Sequence, residues 1–132
     1  MTATGLLDEI KDFLVAAHLG TFGTDLFIGY RPDSPDAVIS LYNGGGPPVE
    51  CHAAGARPIL HVEVRAATQD AALQKMITII AALHNQHDFT ISSKSYVQCR
   101  AAQPEPILIE HDSLNRFTYA MNFQFIKEAG FY

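Results

Sequence analysis

RFTYAMNFQFI, residues 116–126, is the stretch on which the fold turns. Phe117, Tyr119, Met121, Phe123 and Phe125 alternate with Arg116, Thr118, Ala120, Asn122 and Gln124. A period of two belongs to a strand, whose successive side chains point to opposite faces. Large apolar groups on one face make it a main core strand, because burying each contributes about 2 kcal/mol. A second alternating run, 59–65, sets Leu60, Val62 and Val64 against Ile59, His61, Glu63 and Arg65. Two such strands predict a sheet with one apolar face to cover and one mostly polar face.

Two amphipathic segments supply the cover. Residues 6–18 repeat apolar side chains at Leu6, Leu7, Ile10, Phe13, Leu14 and Ala17, with Asp8 and Glu9 at the start and Gly20 marking the end. Thr68 can cap a second helix in which Leu73, Met76, Ile77, Ile80 and Leu83 keep the 3.6-residue spacing until His84 and Asn85. Shorter strands are predicted at 26–30, 37–42, 96–101 and 107–109. Pro32 and Pro35 break the chain at 31–36, and Pro104 and Pro106 separate the last two. Residues 43–57 read as a long loop and 86–95 as a polar link. The class is α+β: a single domain over 1–132, with a mainly antiparallel or mixed sheet of about five strands and two helices packed on one face.

The totals narrow the function. The chain has 132 residues, 48% hydrophobic and 17% charged, which suits one globular core. Its formal charge of −5, with scattered Lys and Arg, gives no basic footprint for wrapping DNA. No apolar run approaches the roughly 20 residues that span a bilayer, and the N-terminus lacks a signal-peptide layout. Synthesis and use in a cytoplasm are expected, with Cys51 and Cys99 as reduced thiols.

Residue types and spacing offer several candidate sites. Gly44, Gly45 and Gly46 follow an apolar run as a phosphate loop would, but Pro47 and Pro48 have no N–H to donate and no Lys-Ser/Thr pair follows. A mobile loop suited to docking is the reading. Replacing the three glycines with alanines is then expected to weaken docking and barely change melting. His61 and Glu63 share a strand face, yet two groups make no metal site, and neither Cys51-His52 nor His84 with His87 adds a recognised spacing. Pro35-Asp36 followed by Glu63-Val64-Arg65 imitates a metal-dependent nuclease, but Arg65 stands where a lysine is needed and cannot act as a base. Ser92, Ser93 and Ser95 lack a nucleophile elbow. No catalytic, metal or cofactor residue is assigned. Arg65 and Arg116 end core strands, where a guanidinium can bridge carboxylates or carbonyls, and Asp112 is placed to pair with Arg116 across the turn 113–115. The interface and anchor candidates are therefore Gly44, Gly45, Gly46, His61, Glu63, Arg65, Asp112 and Arg116.

Taken in order, ISLYNGGGPPVE (39–50), RPILHVEVRAATQDAALQKMITIIAALH (57–84) and HDSLNRFTYAMNFQFI (111–126) resemble the tail terminator and minor capsid family of long-tailed phages. The resemblance covers about two thirds of the chain. It implies a structural virion protein, not an enzyme: a hexameric ring that caps the tail tube, stops further subunits from adding, and offers its upper surface to head–neck connector proteins. The implied partners are further copies of the chain, the tube protein and the connector. Genome DNA passes through without specific binding, and neither membrane nor cofactor takes part. Six copies at −5 each would carry −30, so an acidic lumen would let DNA slide. The virion, and host cytoplasm during assembly, are the implied locations. Another neck or head–tail connector component, and a small metal-dependent nuclease, are the competing readings.

Overall fold

The computed structural model describes residues 6–45, 57–84, 86–91 and 94–127. Its elements run α1 (Leu6–Ala16), β1 (Leu26–Ile28), β2 (Val38–Asn43), β3 (Ile59–Ala66), α2 (Gln69–Leu83), β4 (Gln86–Ile91), β5 (Lys94–Ala101), β6 (Ile107–His111) and β7 (Phe117–Lys127). All seven strands join one mixed sheet in the order β1-β2-β3-β7-β5-β4, with β6 also paired to β7. Among the seven strands only β1 and β2 pair in parallel, and the other strand pairs are antiparallel. The α+β class holds, with seven strands where about five are predicted. The link read at 86–95 contributes β4, which pairs with the start of β5. Its sequence, Gln-His-Asp-Phe-Thr-Ile, has no apolar alternation, so backbone pairing rather than hydrophobic period makes it a strand.

The register explains the core. Ile39, Val64 and Tyr119 lie side by side across three strands, as do Leu41, Val62 and Met121. With Leu60, Phe123 and Phe125 they form the apolar face, against which α1 sets Leu7, Ile10 and Leu14, and α2 sets Ala72, Met76, Ile79 and Leu83. Both helices thus cover the same face. Thr68 caps α2 as its sequence predicts, accepting from the Ala71 N–H at 3.1 Å. In α1 the stop is earlier than Gly20. His18 takes the left-handed conformation (φ 61°), and the Leu19 N–H donates back to the Leu14 carbonyl at 3.0 Å. No helix among the described residues is long and apolar enough to cross a membrane.

β7 holds the sheet together. One of its edges is taken by β3 from Phe117 to Gln124. The other is shared end to end, β6 covering Phe117–Ala120 and β5 covering Phe123–Lys127. β5 and β6 are therefore one row of the sheet, interrupted by the excursion 102–106. At the break the Ala102 N–H donates to the Asn122 carbonyl at 2.8 Å, and the Asn122 N–H donates to the side-chain oxygen of Gln103 at 3.0 Å. A side chain stands in for the missing backbone acceptor, so no ladder group of β7 is orphaned there.

Candidate functional site

The same register assembles the polar face. His61 lies between Tyr42 and Asn122, Glu63 between Ser40 and Ala120, and Arg65 between Val38 and Thr118. Because β1 and β2 are parallel, the chain must return along their length, and it does so as a strap, 29–37, laid over this face. Three arginines pin it. Arg65, only 3% exposed, donates from Nε to the Asp36 carbonyl at 3.1 Å and from Nη2 to the carbonyls of Pro32 at 2.6 Å and Pro35 at 2.8 Å. Arg116, also buried, donates from Nε to Asp112 Oδ2 at 2.8 Å, from Nη1 to the Asp33 carbonyl and from Nη2 to Asp33 Oδ1 at 3.0 Å. Arg31, on the strap itself, spans two strands, pairing with Glu63 at 2.9 Å and Glu110 at 2.8 Å.

The charges tune one another. Burial, then the nearby Arg116 and Arg31, pull the Arg65 guanidinium below its ordinary value. Its hydrogen bonds all go to carbonyls. Arg116 is pushed the other way, chiefly by its hydrogen bond to Asp33. The Asp112 carboxyl is held below the usual carboxylate range, first by the backbone N–H of Arg116 and then by its guanidinium and the Leu114 N–H. Asp112 thus closes the turn into β7 and orients Arg116 toward the strap, with Asn115 left-handed at φ 61°.

His61 and Glu63 sit in the middle of the face. His61 Nε2 lies 3.0 Å from Glu63 Oε2, and Nδ1 lies 2.8 Å from Asn122 Oδ1. Both ring nitrogens therefore face side-chain oxygens. Tyr42 packs beside the imidazole with ring centroids 5.9 Å apart, and burial, then Glu63, raises its phenol above the ordinary value. Glu63 is already shared by Arg31 and His61, and Asp36 lies 3.5 Å from Arg116, so the two carboxylates of the nuclease pattern face arginines. Among the described residues no three His, Cys, Asp or Glu are grouped to hold a metal ion. Cys51, His52, Ser92 and Ser93 lie outside the described residues.

At the other end of β2 and β3 the glycines do structural work, against the reading of a free loop. The Gly44 N–H donates to the Ile59 carbonyl at 2.7 Å, and the Ile59 N–H donates to the Gly45 carbonyl at 2.9 Å, extending the β2–β3 ladder. A Cβ on Gly44 would stand 2.7 Å from Ile59 Cγ2, and Gly45 has φ +77°. Close approach and backbone conformation both call for glycine. Gly46 lies outside the described residues. From Ile59 to Arg65, at about 3.4 Å per residue, the glycine end and the arginine end stand roughly 20 Å apart. The structure therefore separates the candidates: Arg65, Asp112 and Arg116 at one end, His61 and Glu63 midway, Gly44 and Gly45 at the other. Sequence reasoning missed Arg31 and Asp33, whose only local signal is a charged pair flanking Pro32; Glu110, the partner of Arg31, lies 79 residues away.

Comparison with known proteins adds the context. A family profile described as bacteriophage tail terminator protein matches residues 13–129. Among solved structures, a chain from the virion of a native gene transfer agent particle aligns with a TM-score of 0.68 at 18% identity, over 95% of this chain and 96% of its own. Another solved chain aligns at a TM-score of 0.54 and 12% identity, over 94% and 89%. At such identities the likeness is one of fold. No curated protein matches the sequence.

Proposed function

Because the chain belongs to the bacteriophage tail terminator family, we propose that six copies form a ring that caps the tail tube, blocks further tube subunits and presents its far surface to the neck. The observation that carries this reading is the pair of unlike ends on one rigid sheet. A cap must offer one surface that a growing tube accepts and another that cannot repeat it. Here one end is an arginine-pinned strap and a tight Asp112 turn, and the other is the end of the β2–β3 ladder, closed by the bonds of Gly44 and Gly45 with Ile59. Arg65, Asp112 and Arg116 act as anchors that hold the first end in shape.

The role requires no catalysis and no cofactor. The tube protein and a head–neck connector are the partners at the two ends, the chain assembles in host cytoplasm, and it stays in the virion. Genome DNA passes through the ring, and a ring of six at −5 per copy carries −30, which disfavours adhesion of the phosphate backbone. The experiment is negative-stain imaging of tails assembled in cells lacking this chain. Overlong tails without heads are the expected result. Tails of normal length that fail to join heads would overturn the terminator role in favour of a neck component.

A further inference from the structure

The glycine end of the β2–β3 ladder holds a reactive pair. The asparagines of the chain are Asn43, Asn85, Asn115 and Asn122, and they are followed by Gly44, Gln86, Arg116 and Phe123. An asparagine side-chain amide is open to attack by the backbone nitrogen of the next residue, and a side chain on that residue hinders the approach. Only Asn43 has a successor without a side chain. Position 44 cannot readily be anything else, because a Cβ there would stand 2.7 Å from Ile59 Cγ2. The packing that calls for glycine therefore also creates the reactive sequence.

The fold closes the route in two ways. Asn43 is exposed at the end of β2 and is paired with Leu60 of β3. Ring closure needs the Gly44 nitrogen to turn toward the side-chain carbonyl carbon of Asn43, whereas an extended, paired strand aims it at the neighbouring strand. The nitrogen must also give up its proton before it attacks, and that proton is donated to the Ile59 carbonyl at 2.7 Å. The Ile59 N–H, donating to the Gly45 carbonyl at 2.9 Å, ties the same place from the other strand. Both bonds lie at the end of a ladder, where local opening takes less free energy than unfolding the sheet.

We propose that Asn43 is a site of spontaneous isoaspartate formation, held shut by the bonds of Gly44 and Gly45 with Ile59. When this end opens, the Gly44 nitrogen gives its proton to hydroxide and attacks Asn43 Cγ. The new N–Cγ bond closes a succinimide, and the Cγ–Nδ2 bond breaks as ammonia leaves with a proton from water. A second water opens the succinimide at either carbonyl, giving aspartate or isoaspartate, with no change of oxidation state. In isoaspartate the main chain runs through the β-carbon, so an added methylene moves the Gly44 N–H off the Ile59 carbonyl. The change is one-way, and it marks a chain that has opened there. This chemistry belongs to the chain alone, whatever it assembles with.

The test is incubation of the full chain at mildly alkaline pH, native and in guanidinium chloride, followed by peptide mass spectrometry. In denaturant Asn43 should convert before Asn85, Asn115 and Asn122, and in the native protein it should convert at least about tenfold more slowly. Equal rates in the two states would overturn the gate, and faster conversion of another asparagine in denaturant would overturn the choice of site. The isoaspartate form, refolded, is then compared with Asn43→Asp, which carries the same new charge on an unaltered main chain. It should melt about 4 °C below that variant, and its failing to refold where Asn43→Asp succeeds supports the same conclusion. Equal melting would overturn the claim that the added methylene breaks the lock.

Discussion

Replacing Arg65 with alanine tests whether the strap is held by its guanidinium. The side chain makes three hydrogen bonds to strap carbonyls, two of them from Nη2. Bonds from charged donors are worth about 1.5–3 kcal/mol each when taken singly. Two discounts apply: Pro35 and Asp36 are exposed, so water replaces part of what is lost, and removing one of three clustered cations relieves repulsion with Arg116 and Arg31. The net expectation for Arg65→Ala is a loss of about 3 kcal/mol, a fall in Tm on the order of 10 °C for a domain of this size. Arg65→Lys keeps the charge but gathers its donors on one atom, and should recover about half. Calorimetry gives the stability, and amide hydrogen exchange over 29–37 reports the strap directly. A Tm within about 1 °C of wild type, together with unchanged exchange in the strap, would refute the clamp.

Gly44→Ala should destabilise the fold by about 1–2 kcal/mol, because the added methyl meets the stiff β-branched Ile59 at 2.7 Å and that crowding outweighs the entropy gained in the unfolded chain. In an Ile59→Ala background the loss should shrink, and an unchanged loss in chemical denaturation would reject the steric account. Asp112 has its pKa depressed in the folded state, so its contribution is present above the unfolded carboxylate value and disappears as pH falls through the lowered one. The difference in Tm between wild type and Asp112→Asn should accordingly narrow from about pH 5 to about pH 3, and a constant difference would disprove it. Cys99 is buried and its thiol is pushed up to about 12, so it should resist alkylation at mildly alkaline pH until the protein unfolds, as peptide mass spectrometry of native and denatured samples will show.

The parts legible in the sequence were those governed by local period. β3, β7 and α2 follow from alternation, from 3.6-residue spacing and from Thr68, because burial of one face imposes that pattern on the chain itself. β4 was invisible because its pairing with β5 imposes no apolar pattern on a polar segment. The strap explains a different failure. Arg65 and Arg116 could be picked out as strand-end guanidiniums and Asp112 as a near neighbour in sequence. That Arg65 binds the carbonyls of Pro32, Pro35 and Asp36, and that Arg31 reaches Glu110, depends on a parallel β1–β2 crossover that no local motif encodes. Glycine at position 44 was noticed for its freedom, whereas its lack of a side chain is what the packing against Ile59 uses.

The interrupted fifth row of the sheet separates what is inherited from what can change. Since Gln103 supplies the acceptor for Asn122, the excursion 102–106 hangs from β7 by a side chain and one backbone bond rather than by a continuous ladder. Its outer residues, Pro104 and Glu105, are exposed and lie outside the core. Substitutions or added residues there alter exposed surface without unzipping the central strand. A lineage can therefore vary this exposed wall while the sheet that bears it stays the same.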